Sequence, residues 1–218
     1  MRVLAVLDST CNAAEPGVRA QFISAVTNMV GETSNVSTTC ITVDCFDELE
    51  CKLRQCEPPL LEGERPAAVF LAGVHGTRTH DKDTSTSYVD FAAKSEAPVS
   101  MADVVTAVFT VFPQLAILVV GSCYSGAEPD STWADLRNRN ILPHNAVVAG
   151  FSGKVQLQEV VTAGNAVVTR LAADYRSRLH FESEFNQSGL LRKRVVDTLG
   201  QQILSDVESS VVVWAKEL

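Results

Sequence analysis

No segment of the 218-residue chain reaches the ~18 unbroken apolar residues that a helical membrane span requires. Positive charge is also scarce, with 18 Lys and Arg against 26 Asp and Glu and a net charge of −8. Phosphate contacts need clustered cations, so wholesale nucleic-acid binding is disfavoured. The densest basic stretch, Arg192-Lys193-Arg194, reads as the solvated face of a helix. Structural zinc sites open with a short Cys-to-Cys spacing inside a turn. Here Cys40 falls in a strand-like run, and Cys51 and Cys56 in a helix-like one, so ordinary reduced thiols are expected. Internal repeats, low-complexity tails and linkers are missing too, which leaves one domain over residues 1–218. The opening MRVLAVLDST meets Asp8 too soon to form a signal-peptide core. It reads as a first strand, and a cytoplasmic location is expected.

What is present is a globular composition, 46% apolar and 20% charged, able to bury one substantial core. Element types alternate along it. Strands are expected at 3–7, 36–43, 67–72, 115–120, 146–151 and 211–214. Amphipathic helices are expected over 18–30 and 46–56, after Ser100-x-x-Asp103, and over 160–175 and 190–207. The run 115–120 is apolar on both faces and therefore reads as a central strand. Residues 77–87 are polar and read as a loop, with a small hairpin near Tyr88–Phe91; residues 127–145 read as an irregular link. Both are the expected places for processing by cleavage. Such alternation gives an α/β fold: a single three-layer domain, a mostly parallel six-stranded sheet, and helices on both faces.

Two of the apolar runs stop at reactive side chains. AAVFLAGVHG closes on His75-Gly76, and LAILVVGSCYSG runs through Cys123. Chemistry in an open parallel sheet gathers at the carboxyl ends of its strands. If these two strands are neighbours, imidazole and thiol share one cleft. An imidazole beside a thiol raises its thiolate fraction and can protonate the amine that leaves when an amide breaks. The oxyanion formed on the way needs N–H groups already aimed at it. Gly76 lets the backbone approach without a Cβ. The backbone N–H groups of Gly76 and Cys123 are therefore the expected oxyanion donors.

The order of Val74-His75-Gly76, a long polar segment and helix, then Gly121-Ser122-Cys123-Tyr124-Ser125-Gly126 resembles the caspase-like (clan CD) cysteine peptidases. That group includes caspases, metacaspases, legumains, clostripain and gingipains. The resemblance covers most of the chain and implies a six-stranded sheet whose last strand is antiparallel. It implies Cys123 as nucleophile and His75 as general acid/base of a cysteine endopeptidase, with peptide or protein substrates and no organic cofactor or metal. It also implies a specificity pocket at the ends of the first, fourth and fifth strands, which nominates Asp8, Ser9, Gly121, Ser152 and Lys154. A buried Asp8 would select a basic side chain, and an inward Lys154 an acidic one. Gly121 stands where metacaspases and clostripain-like enzymes carry an acid, and no residue matches the caspase arginines.

Two other readings fit the same residues. A caspase-like fold can persist as an inactive scaffold or regulatory protein. Alternatively, Gly121-x-Cys123-x-Ser125 approximates the nucleophile elbow of α/β-hydrolases and amidotransferases, with His180-Phe181-Glu182 supplying the base. Asp81 and Asp83 could bind calcium, but two acids in a Thr/Ser segment are more simply solvated. His80 and His144 read as surface residues, Trp133 and Trp214 as packing ones. Nothing in the sequence fixes the oligomeric state.

Overall fold

The computed structural model describes residues 2–8, 37–56, 66–72, 75–81, 84–91, 97–115, 117–126, 128–143, 146–151, 153–155 and 211–214. Short runs rich in Val, Ile, Leu and Ala form β1 (Arg2–Asp8), β3 (Pro66–Ala72), β7 (Ile117–Gly121) and β8 (Val147–Phe151), and a Thr-rich run forms β2 (Ser37–Val43). With β9 (Val211–Trp214) they make one sheet of six strands in the order β2-β1-β3-β7-β8-β9. Every neighbouring pair in it is parallel except β8–β9, which is antiparallel. The protein is thus α/β, with a mainly parallel sheet. Among the described residues no helix is long and apolar enough to cross a membrane.

Side chains of a strand point alternately to its two faces. Leu4, Val6, Val69, Leu71, Leu118, Val120 and Val148 join one core with three helices. These are α1 (Phe46–Gln55), α2 (Met101–Val111) and α3 (Asp130–Asn138). Ala68, Phe70, Ile117, Val119 and Ala149 are buried as well, on the opposite face. The centre of the sheet is therefore dry on both sides, which is why β7 lacks polar residues, as its composition predicts.

Helix α1 carries Leu49 and Leu53, four apart on one buried stripe, with Asp47 and Glu48 in its first turn and Lys52 and Arg54 in its last. Charges so placed oppose the helix dipole favourably. Helix α2 begins at Ser100, whose hydroxyl accepts the Asp103 N–H at 3.1 Å, as the Ser-x-x-Asp spacing predicts. Its flanks Val104, Val105 and Val108 are fully buried.

Two expectations are corrected. The polar segment 77–87 is not a loop: β4 (His75–Asp81) and β5 (Thr84–Asp90) form an antiparallel hairpin from His75↔Asp90 to Asp81↔Thr84. A third short strand, β6 (Val99–Ser100), completes this second sheet. Thr77, Thr79, Thr84 and Thr86 supply β-branched side chains, which suit strands even when the stretch is hydrophilic. The link 127–145 likewise contains α3, with Trp133 and Leu136 buried three apart. Its end is specified by Asn140, at φ 56°, as the left-handed residue after the cap. The Asn140 N–H reaches the Arg137 carbonyl at 2.9 Å, and the Ile141 N–H reaches Leu136 at 2.9 Å, a Schellman closure. Two ordered elements thus occupy the places expected for processing. The helical patterns at 18–30, 160–175 and 190–207 lie outside the described residues.

Candidate active site

Strands β3 and β7 are direct neighbours, paired in parallel from Ala68↔Ile117 to Ala72↔Gly121. Parallel strands sit ~4.8 Å apart. His75 and Cys123 follow the last paired residues, so both leave the same end of the same two strands. Their adjacency was the condition for a shared cleft, and the pairing meets it.

The closest approach is between backbones. A Cβ built on Gly76 would overlap the Cys123 carbonyl oxygen, and would lie 2.7 Å from its carbonyl carbon and 2.9 Å from its nitrogen. Only a residue without a Cβ fits there. The residue after His75 is therefore in contact with Cys123 itself.

The turn carrying Cys123 is fixed from both sides. Ser125, buried, has its hydroxyl 2.7 Å from the Val120 carbonyl and 2.8 Å from that of Ser122, and accepts the Phe151 N–H at 3.1 Å. One small side chain thereby ties the end of β7 to the end of β8. Gly150 permits this, since a Cβ there would meet Gly126 N at 2.6 Å and Ser125 Oγ at 2.8 Å. The amides of Tyr124 and Gly126 donate to Gly153 and Phe151, at 2.8 and 2.9 Å. Tyr124 is held at φ 60°, a conformation that a non-glycine residue adopts only under constraint.

The hairpin is fastened to the same turn. Ser87 on β5 donates its hydroxyl to the Tyr124 carbonyl at 2.7 Å. Its N–H donates to Glu128 Oε1 at 2.8 Å, and Glu128 Oε2 accepts the Thr132 hydroxyl of α3 at 3.1 Å. Burial pushes the Glu128 carboxyl above its ordinary value, against the lowering pull of the Ser87 N–H and the Thr132 hydroxyl. A chain of polar contacts thus runs from α3 through β5 to the residue beside Cys123. On the hairpin's first strand, the Arg78 guanidinium lies over the Tyr124 ring, 4.8 Å from its centroid.

Cys123 is half-buried, and its sulfur faces the segment after β8. The Val155 N–H points to Sγ at 3.4 Å, and Sγ lies 3.8 Å from the Val155 carbonyl oxygen. Ser122 Oγ, next to Cys123 in sequence, is buried with no hydrogen-bond partner among the described residues.

The residues nominated from sequence divide as follows. Gly121 is buried at the end of β7, and Asp8 is the last residue of β1, paired with Val43. His75 opens β4 opposite Asp90. Lys154 is exposed, one residue before the Val155 that meets the sulfur. Ser9, Ser152, Asp83, His144 and His180 lie outside the described residues, as do Arg192-Lys193-Arg194. Asp81 ends β4 opposite Thr84. Trp133 is buried, as expected, and Trp214 pairs with Val148 in the sheet. Helix α3 begins only at Asp130, so Cys123 does not sit on the direct strand–turn–helix of a nucleophile elbow.

Sequence reasoning missed Ser87, Tyr124, Ser125, Glu128 and Val155. For Ser125 the signal was its place in the Ser-Cys-x-Ser-Gly run; Glu128 and Ser87 carry none, because their partners are distant in sequence. Set against known proteins, the chain matches no protein-family model and no curated protein at a significant level.

Proposed function

We propose that the protein is a cysteine endopeptidase in which Cys123 is the nucleophile and His75 the general acid/base. The observation that carries this reading is the contact of Gly76 with the Cys123 backbone, which makes His75 the immediate neighbour of that contact. The sheet order and the single antiparallel strand at its edge support a likeness to the caspase-like peptidases.

In the reaction, the Cys123 thiolate adds to the carbonyl carbon of the scissile amide, and the carbonyl electron pair moves onto oxygen. The Gly76 and Cys123 N–H groups are the proposed donors to that oxyanion. The other two amides donated across the turn, of Tyr124 and Gly126, are already committed to Gly153 and Phe151. Collapse breaks the C–N bond, and the departing nitrogen takes the proton from the His75 imidazolium. Water then gives a proton to His75 and adds to the thioester carbon. The C–S bond breaks, releasing the acid and returning the thiolate. No organic cofactor is needed for any step.

The pocket for the residue before the cut would use Asp8 and Gly121, at the ends of β1 and β7, together with Ser9 and Ser152, which lie outside the described residues, with Asp8 favouring a basic side chain. Lys154 is exposed, one residue before Val155. Profiling a peptide library with the wild-type protein and with Cys123→Ala tests catalysis and pocket charge together. Cleavage is expected in the first and none in the second. Equal cleavage by both would refute the assignment.

A further inference from the structure

Arg78 and Tyr124 together have no task in the chemistry above. Arg78 is exposed, three residues along β4 from His75, and no carboxylate among the described residues pairs with it. An exposed arginine usually samples many rotamers, yet this one rests on an aromatic ring 4.8 Å away. Stacking of that kind engages the flat face of the guanidinium and leaves its N–H edge open. The backbone that carries the ring is fixed. Tyr124 sits at φ 60°, its N–H given to Gly153 and its carbonyl taken by Ser87. A left-handed tyrosine costs about 1–2 kcal/mol. Strain of this sort is retained where the surroundings over-determine a position, and functional sites are where it gathers.

We propose that Arg78, held on Tyr124, is a subsite that binds a carboxylate of the substrate on the departing side of the scissile bond. The inference rests on the peptidase reading and adds a substrate class to it. A guanidinium fork presents paired donors matched to the two oxygens of a carboxylate. Arg78 lies two residues beyond Gly76, on the face of β4 that meets Cys123, and β4 carries it away from the joint, which is the ground for placing the subsite on the departing side. It lies roughly 10 Å along the strand from His75. An extended peptide repeats every ~3.3 Å, so the carboxylate falls within about three residues of the cut. The protein's net charge of −8 would otherwise repel acidic peptides, which makes a local cation decisive for them. The subsite is separate from the pocket for the residue before the cut. An internal Asp or Glu and the free terminus of a short substrate offer the same chemistry.

The test uses peptides that share one cleavage sequence and differ by Glu, Gln or Lys at each of the first three positions after the cut. Each is made with a free and an amidated C-terminus. The wild-type protein is expected to prefer one Glu peptide in kcat/KM by about tenfold, as for a well-formed charge-assisted pair. That ratio is expected to fall towards one in Arg78→Gln and to turn in favour of a Lys peptide in Arg78→Glu. A preference that follows the free terminus instead assigns the carboxylate to the chain end. If Arg78→Gln slows Glu and Gln peptides by the same factor, Arg78 only braces Tyr124 and the subsite is overturned. Binding of the same peptides to Cys123→Ala separates the two readings. A Glu preference in binding without any cleavage by the wild-type protein would sink the peptidase and keep the carboxylate site. No preference in binding or in cleavage would remove the site alone.

Discussion

Gly76 packs its Cα against the backbone of Cys123, with no room for a single added carbon between them. Two segments distant in sequence are thereby locked at the shared end of β3 and β7, with Cys123 in the joint and His75 one residue before it.

Gly76→Ala is expected to be the most damaging small substitution at the site. The added methyl meets backbone and not a movable side-chain tip, so the hairpin or the Cys123 turn must shift. Overpacking of this kind costs about 1–3 kcal/mol of stability. A displacement near 1 Å is expected to cut kcat/KM by about 100-fold. Gly153→Ala is the contrasting variant, since nothing lies within 4 Å of its added carbon. Its unfolding free energy is expected to stay within about 0.5 kcal/mol of wild type. Denaturant melts of the two variants side by side check both statements.

Ser125→Ala removes the hydroxyl that joins β7 to β8. The Phe151 N–H then loses its buried acceptor, which costs about 1–3 kcal/mol. A urea midpoint shifted down with an unchanged slope is the expected result. An unshifted midpoint would mean that the hydroxyl bridge contributes nothing.

Glu128 gives the protein a pH dependence of definite sign. Burial raises its carboxyl from the ordinary 4.5, so between that value and the raised one the folded state holds more protons than the unfolded. The stability it contributes is fully present below the ordinary value and is lost as pH rises through the raised one. Glu128→Gln keeps an acceptor for the Ser87 N–H and does not titrate. Wild-type stability minus that of Glu128→Gln is therefore expected to fall as pH rises from the ordinary 4.5 through the raised value. A difference that is flat or rises with pH contradicts the assignment.

The sheet was readable because its central strands are hydrophobic on both faces and its edge strand β2 is rich in β-branched Thr, Ile and Val. Val36–Val43, Leu115–Val120 and Val211–Trp214 each fall within two residues of an observed strand. The cap of α2 was readable because Ser100 and Asp103 act within one turn. The hairpin was not, because its polar composition hid a β-branched pattern in Thr77, Thr79, Thr84 and Thr86. Helix α3 was hidden by shortness: its apolar signal is two side chains, and its stop signal is one asparagine. At the site, His75, Gly76 and Cys123 stood out by chemistry and by position after strands. The frame of Ser87, Ser125 and Glu128 did not, since a serine gains meaning only from a partner that folding brings to it.

The most direct test of Cys123 as nucleophile is mass-spectrometric mapping of the protein after a peptidyl electrophile at low excess. Cys40 and Cys51 are exposed, whereas Cys123 is half-buried, so accessibility alone would direct the label elsewhere. The account requires modification at Cys123 ahead of Cys40 and Cys51, and its loss in His75→Ala. Labelling that follows exposure, or that is indifferent to His75, would contradict it.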